Sequence, residues 1–272
     1  MQLIGPAVLD LVLYLLAATG LLSRLTRSGP VLLRDKRGFT VSAALAAVFI
    51  HSVLLYGLLV TPRGLDLGYF NALALAGWLM ALIALVVFLK PAFENLGLVL
   101  FPLAGVSVLL AELFPHDVLL MSDRSWPLDL HILTSMLAYS LLGVAALQAG
   151  VLYLQERRLR RGDAGGILSG LPPMQEMEHF LFQLIGAGFV LLTLSLLTGL
   201  FFVQNFMTQH LAHKAVLSAL AWAVFAVLLW GRWKFGWRGR LAIRWTLIGF
   251  GSLLLAYFGS KLVLELILGR HW

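Results

Sequence analysis

The chain contains no cysteine. That excludes disulfides, thiolate metal sites and dithiol redox chemistry by its own side chains. Charge is also scarce. Only 12% of the 272 residues are Asp, Glu, Lys or Arg, against 60% apolar residues, a balance that excludes an ordinary soluble domain. Acidic residues are the rarer sign, 13 against 20 basic ones, for a formal net charge of +7. No nucleophile elbow, HExxH, phosphate-binding loop or dinucleotide glycine motif is present, so no catalytic motif marks the chain as an enzyme. No internal repeat is visible, which argues against an inverted-repeat transporter.

What fills the chain instead is apolar sequence in long runs. Eight candidate helices lie at roughly 3–22, 40–60, 68–88, 96–113, 130–155, 179–204, 214–231 and 242–268, each near or above the roughly 18–20 residues that cross a bilayer core. Lipid-exposed backbone must satisfy its own hydrogen bonds, and the runs lack the alternation of barrel strands, so the spans are helices. The fourth is the shortest and carries Pro102. The first has no basic residue before it, contains Asp10 and is followed by positive charge, so it reads as a retained span and not a cleavable signal. The expected architecture is all-α, a polytopic membrane helix bundle of about eight transmembrane helices, with residues 1–272 forming a single integral membrane domain in the lipid bilayer.

Fifteen of the 20 basic residues sit in every second connection. They are Arg24, Arg27, Arg34, Lys36 and Arg37; Lys90; Arg157, Arg158, Arg160 and Arg161; and Arg232, Lys234, Arg238, Arg240 and Arg244. Basic residues held near span ends mark the cytoplasmic side, so the loops at 23–39 and 156–178 are expected there, with both termini on the outer, periplasmic side. The positive charge then follows from topology and anionic headgroups. Division among four short loops argues against nucleic acid as a partner. The alternate connections hold Arg63, Arg124 and Lys214, and they collect His116, His210 and His213, with His131 at a span mouth and His271 at the tail.

Several of these histidines admit two readings. His131 opens span five and is followed by Ser135 and Tyr139 on one helical face. It is either an interfacial histidine or a metal or haem ligand whose tautomer is fixed by Ser135 or the outer loop. Asp129 is a candidate cap just ahead of it. In span eight Tyr257, Lys261 and Glu265 recur every four residues, with His271 near the same face; they form a structural ion pair or the polar wall of a ligand chamber. His51, in the middle of span two, is a packing histidine with a hydrogen-bond partner or a ligand within the bundle. His210 and His213, three apart, are loop histidines or a metal-binding pair. His116 and His179 read as bystanders, and the carboxylates Asp66, Asp117, Asp123 and Asp129 as a divalent-cation site or, in the plainer reading, as solvated loop charges.

The second half resembles the cytochrome c assembly membrane proteins, the CcsA/CcmC/HemX group, and is most similar to its YpjD-type inner-membrane members. The likeness runs from about residue 129 to the C-terminus. It rests on Leu130-His131, Tyr139, the segment Gly188-Phe189-Val190-Leu191-Leu192-Thr193 with Thr198-Gly199, Trp222, Gly236-Trp237-Arg238-Gly239-Arg240, and Tyr257-Phe258-Gly259. Lys214, Phe225 and Arg232 also fall at family positions. The first half matches in its span pattern and in His51.

The resemblance implies a multi-pass protein of the cell inner membrane that handles haem, b-type and non-covalent, for cytochrome c assembly. By resemblance His131 and His271 are the two outer axial ligands of the iron, and His51 is the first of two membrane histidines. Lys214 or Arg124 would neutralise the propionates, and other cytochrome assembly or membrane proteins would be partners. Two departures stand out. Trp230 occupies the place of the second membrane histidine, and the loop from Phe201 to Lys214 lacks the tryptophans on which haem-handling members rest the porphyrin. The alternatives are a divalent-metal transport or regulatory protein using His51, His210, His213 and outer carboxylates without porphyrin, and a ligand-free scaffold of a membrane complex.

Overall fold

The computed structural model of the chain describes residues 3–26, 37–61, 64–88, 91–115, 126–162, 171–202, 212–260 and 262. Within them are eight helices long and apolar enough to cross a membrane. The α-helices that carry them are α1 (Ile4–Thr26), α2 (Arg37–Leu59), α3 (Tyr69–Phe88), α4 (Gly97–Leu113), α5 (Trp126–Leu159), α6 (Met174–Phe202), α7 (Ala212–Phe235) and α8 (Arg240–Leu254), the fourth span beginning at Phe93 and the eighth running on to Gly259. The expected spans are all present, with shifted ends. A 3-10 turn over Pro91–Leu96 leads into α4 and supplies the length the fourth span lacked, and Pro102 is carried inside the helix. Helix α5 starts before Asp129, which therefore lies in its first turn and not at its cap; a carboxylate there still meets the positive end of the helix dipole. Arg157 and Arg158 in the last turn of α5, and Arg232 and Lys234 in that of α7, suit the negative ends.

The chain divides into two compact units. The first comprises Met1–Met121 with Gln155–Pro173. In it α1 packs on α2 and α4, and α3 packs on α4. Small residues permit the approach, as membrane helices without a hydrophobic drive between them require: a side chain at Gly77 would run into Ser107 and the backbone of Ala104. At the basic end Glu94, 7% exposed, pairs with Arg24 at 2.8 Å and Arg37 at 3.3 Å, and Arg37 also donates to the carbonyl of Phe88. At the other end Glu112 of α4 accepts the Leu3 amide at 2.9 Å ahead of α1. Between α2 and α3 the chain forms a short hairpin, Val60 opposite Leu65 and Thr61 opposite Gly64, where the sequence reading had only a loop. Asp66 closes it by accepting the amide of Gly68, an Asx turn that starts α3.

The second unit comprises Ser122–Leu154 and Met174–Trp272. Gly188 of α6 lies against Leu142 of α5, and Gln148 donates to the carbonyl of Met177. Trp222 of α7 stacks on Phe189 of α6 and donates its indole N–H to Thr193 at 2.9 Å. Tyr139 of α5 donates to the carbonyl of Leu253 in α8 at 2.9 Å. Directly beyond, Leu255–Gly259 is π-helical. The wider turn alters the register on which Tyr257, Lys261 and Glu265 were aligned; Lys261 and Glu265 themselves lie outside the described residues.

Candidate functional site at the mouth of α5 and α6

His131 lies in the second turn of α5, half-buried against the end of α6. Its Nδ1 stands 3.0 Å from the carbonyl oxygen of Ser195 and 3.2 Å from the hydroxyl oxygen of Thr198. A carbonyl accepts only, and the Thr198 hydroxyl spends its own hydrogen on the carbonyls of Leu194 or Ser195. Both contacts therefore require a proton on Nδ1. In the neutral ring that leaves Nε2 with its lone pair, the form in which imidazole binds a metal.

Ser135 serves this arrangement one step removed. It donates to the His131 carbonyl at 2.6 Å and shares a hydrogen bond of 2.7 Å with the Ser195 hydroxyl, tying α5 to α6 beside the ring. Gly199 completes the support. A β-carbon there would come within 3.0 Å of Cε1 and 3.4 Å of Nδ1, so the ring occupies space that any side chain at 199 would contest. The three residues expected on one face divide between two neighbours: His131 and Ser135 face α6, and Tyr139 faces α8. The ring's Nδ1 acceptors are on α6 and not at Ser135, which bonds the His131 carbonyl instead. Ser195, Thr198 and Gly199 were not read as a site, although their i, i+3, i+4 spacing at the end of a span places them on one face.

The other candidates separate. Lys214 opens α7, half-buried and already engaged. Phe225 is fully buried, and Arg232 is part of a structural turn. Trp230 is 54% exposed and packs edge-on against Phe235. His179 is an exposed partner of Gln183. His116, Asp117, Asp123, Arg124, His210 and His271 lie outside the described residues, as does the side chain of His213. Among the described residues no three His, Asp or Glu side chains converge as a metal centre.

His51 has partners that the sequence reading did not foresee. Its Nδ1 is 3.3 Å from the Tyr14 hydroxyl and 3.7 Å from Oδ2 of Asp10, and all three side chains are 0% exposed. The ring of His51 has no exposed edge in this packing, and the membrane-ligand role is what the resemblance alone implies. In the sequence alone Asp10 argues only against a signal peptide. A lone carboxylate in mid-span with Tyr14 four residues on was the available signal.

Residues 39–268 match the Cytochrome C assembly protein family. The chain belongs to that family. Inner membrane protein YpjD of Escherichia coli (strain K12) is 34% identical over 235 residues, covering 85% of this chain and 88% of that protein. Protein HemX of Brevibacillus brevis is 23% identical over 223 residues, 81% of this chain and 74% of its own. Cytochrome c biogenesis protein CcsA of Synechococcus elongatus is 27% identical over 123 residues, 44% of this chain and 34% of its own. No solved structure matches. The family match begins in α2, so it covers more of the first half than the residues of the resemblance did. Together with its eight spans, this likeness makes the assembly-family chain a multi-pass inner-membrane protein.

Proposed function

We propose that this cytochrome c assembly protein holds haem non-covalently at the outer mouth of α5 and α6, with His131 as an axial ligand of the iron. One observation carries the reading. The ring of His131 is fixed by the Ser195 carbonyl so that Nδ1 bears the proton and Nε2 the lone pair, the arrangement in which a backbone acceptor orients a ligating histidine and raises its basicity. The donor is a neutral imidazole at a membrane boundary, which suits haem iron. His271 is the proposed second ligand and Lys214 or Arg124 the partner of the propionates.

In this reading the chain performs no covalent chemistry, and its residues bind and orient. Bound haem would supply the iron and porphyrin that cytochrome maturation consumes, and other assembly proteins would receive it. The basic connections would face the cytoplasm and both termini the outside. Protein purified from haem-replete cells should show a Soret band with low-spin, bis-histidine character, and His131→Ala should abolish it. A folded wild type without a Soret band under those conditions would count against the proposal.

A further inference from the structure

We propose that Asp10, Tyr14 and His51 form a binding site for one divalent transition-metal cation inside the first unit, distinct from the His131 site. Asp10 lies six residues into α1, about 9 Å along its axis, and His51 eight residues from the end of the antiparallel α2, about 12 Å. Both therefore sit at one depth within their spans. Asp10 and Tyr14, four apart, share the face of α1 that meets α2.

The group is anomalous as ordinary packing. Both carboxylate oxygens of Asp10 are buried and accept no hydrogen bond, and Nε2 of His51 has none of good geometry. Among the described residues no lysine or arginine pairs with Asp10, while the unit's other buried acids are engaged: Glu94 with Arg24 and Arg37, Glu112 with the Leu3 amide, Asp66 with Gly68. A carboxylate left in hydrocarbon without a partner is costly.

A cation resolves this on geometry and on charge. Zinc-like ions bind nitrogen and oxygen at about 2.0–2.2 Å, which sets tetrahedral ligand–ligand edges of about 3.3–3.6 Å. The observed separations from Nδ1 are 3.3 Å to the Tyr14 oxygen and 3.7 Å to the Asp10 oxygen. Nδ1 is then the ligating nitrogen. Nε2 then carries the ring proton, and the backbone of Ala74 in α3 interacts with His51. Tyr14 is held by stacking on Phe101 at 5.8 Å. On binding, the phenol O–H of Tyr14 breaks, its proton leaves to solvent and its oxygen bonds the metal. One carboxylate, one phenolate and a neutral imidazole then balance a 2+ ion, the charge state that a low-dielectric interior favours. The mixed donor set suits zinc, iron or manganese better than calcium or magnesium.

The test uses Zn2+ as the probe on the full chain, purified in detergent without a polyhistidine tag and freed of loose metal by gel filtration. The wild type should retain about one equivalent per chain. Asp10→Asn and His51→Gln should weaken retention by at least the roughly 10–100-fold that loss of an outer-shell partner costs, while His131→Ala retains the metal and both first-unit variants melt as folded proteins. Folded wild type that takes up no Zn2+, or Asp10→Asn that keeps it, overturns the proposal. So does an infrared carboxylic-acid stretch that Asp10→Asn removes from Zn2+-treated wild type, because it assigns the cluster to a held proton instead.

Discussion

Arg232 near the end of α7 donates to Glu178 near the start of α6 at 2.7 Å. The other oxygen of the same carboxylate accepts the amide of Gly239, at the entrance to α8, at 3.1 Å. One side chain thus joins three helices at the basic end of the second unit. The Arg232 guanidinium also bonds the Trp237 carbonyl and covers the ring of Phe182, and Trp237 packs against Gly231 and Trp245. The motif Gly236-Trp237-Arg238-Gly239-Arg240 is therefore a structural turn, with both glycines at positive φ.

Glu178→Ala should lower the stability of the folded protein by about 1–2 kcal/mol. A charged hydrogen bond is worth about 1.5–3 kcal/mol, and solvent screening at the partly exposed Arg232 reduces it. Gly239→Ala should cost a comparable amount through its backbone conformation, in the range of about 1–3 kcal/mol. Thermal melts in detergent would register both, and neither variant should change haem content once folded. An unchanged melting temperature for both would show that the turn does not hold the unit together.

Tyr139→Phe removes the phenol O–H that reaches Leu253 and keeps the ring against Tyr257 and Phe258. The expected loss is about 1 kcal/mol, felt at the π-helical segment. Amide exchange of residues 253–259 should accelerate relative to α6 and α7. Uniform protection would show that the bond does not pin the end of α8.

The helices were legible because bilayer thickness fixes span length and lipid excludes unpaired backbone. Boundaries were less so. The 3-10 turn at Pro91–Leu96 and the π segment at Leu255–Gly259 arise from local packing that hydropathy does not report. Of the site, His131 and Ser135 were readable from their place and spacing. Their partners Ser195 and Thr198 lie 64 and 67 residues from His131, a pairing that no local pattern encodes. Asp10 and His51 are likewise brought together by α1 packing on α2, a contact invisible while each span was read alone.

Because the chain has no cysteine, single cysteines report topology without background. A cysteine at position 30 should resist an impermeant maleimide in intact cells and react after lysis, while one at position 118 should react from outside. Labelling of position 30 from outside would reverse the orientation inferred from the basic loops.

Gly199→Ala places a methyl group against the His131 ring, 3.0 Å from Cε1 before any adjustment. The ring must tilt, which strains its bond to Ser195. Nitrogen-15 spectra of labelled histidine should show the Nδ1-protonated tautomer of His131 in the wild type and a mixture in the variant. Haem retention should fall about 10–100-fold, as for loss of an outer-shell partner. A wild-type spectrum in the variant would remove Gly199 from the site.

The most direct measurement is the optical spectrum of the wild type and of His131→Ala, purified side by side from haem-replete cells and matched for folded protein. The account predicts a low-spin Soret band in the wild type and its loss in His131→Ala, with helix content retained and a cooperative melt that shows the variant is folded. A Soret band of equal height and position in both proteins would contradict it.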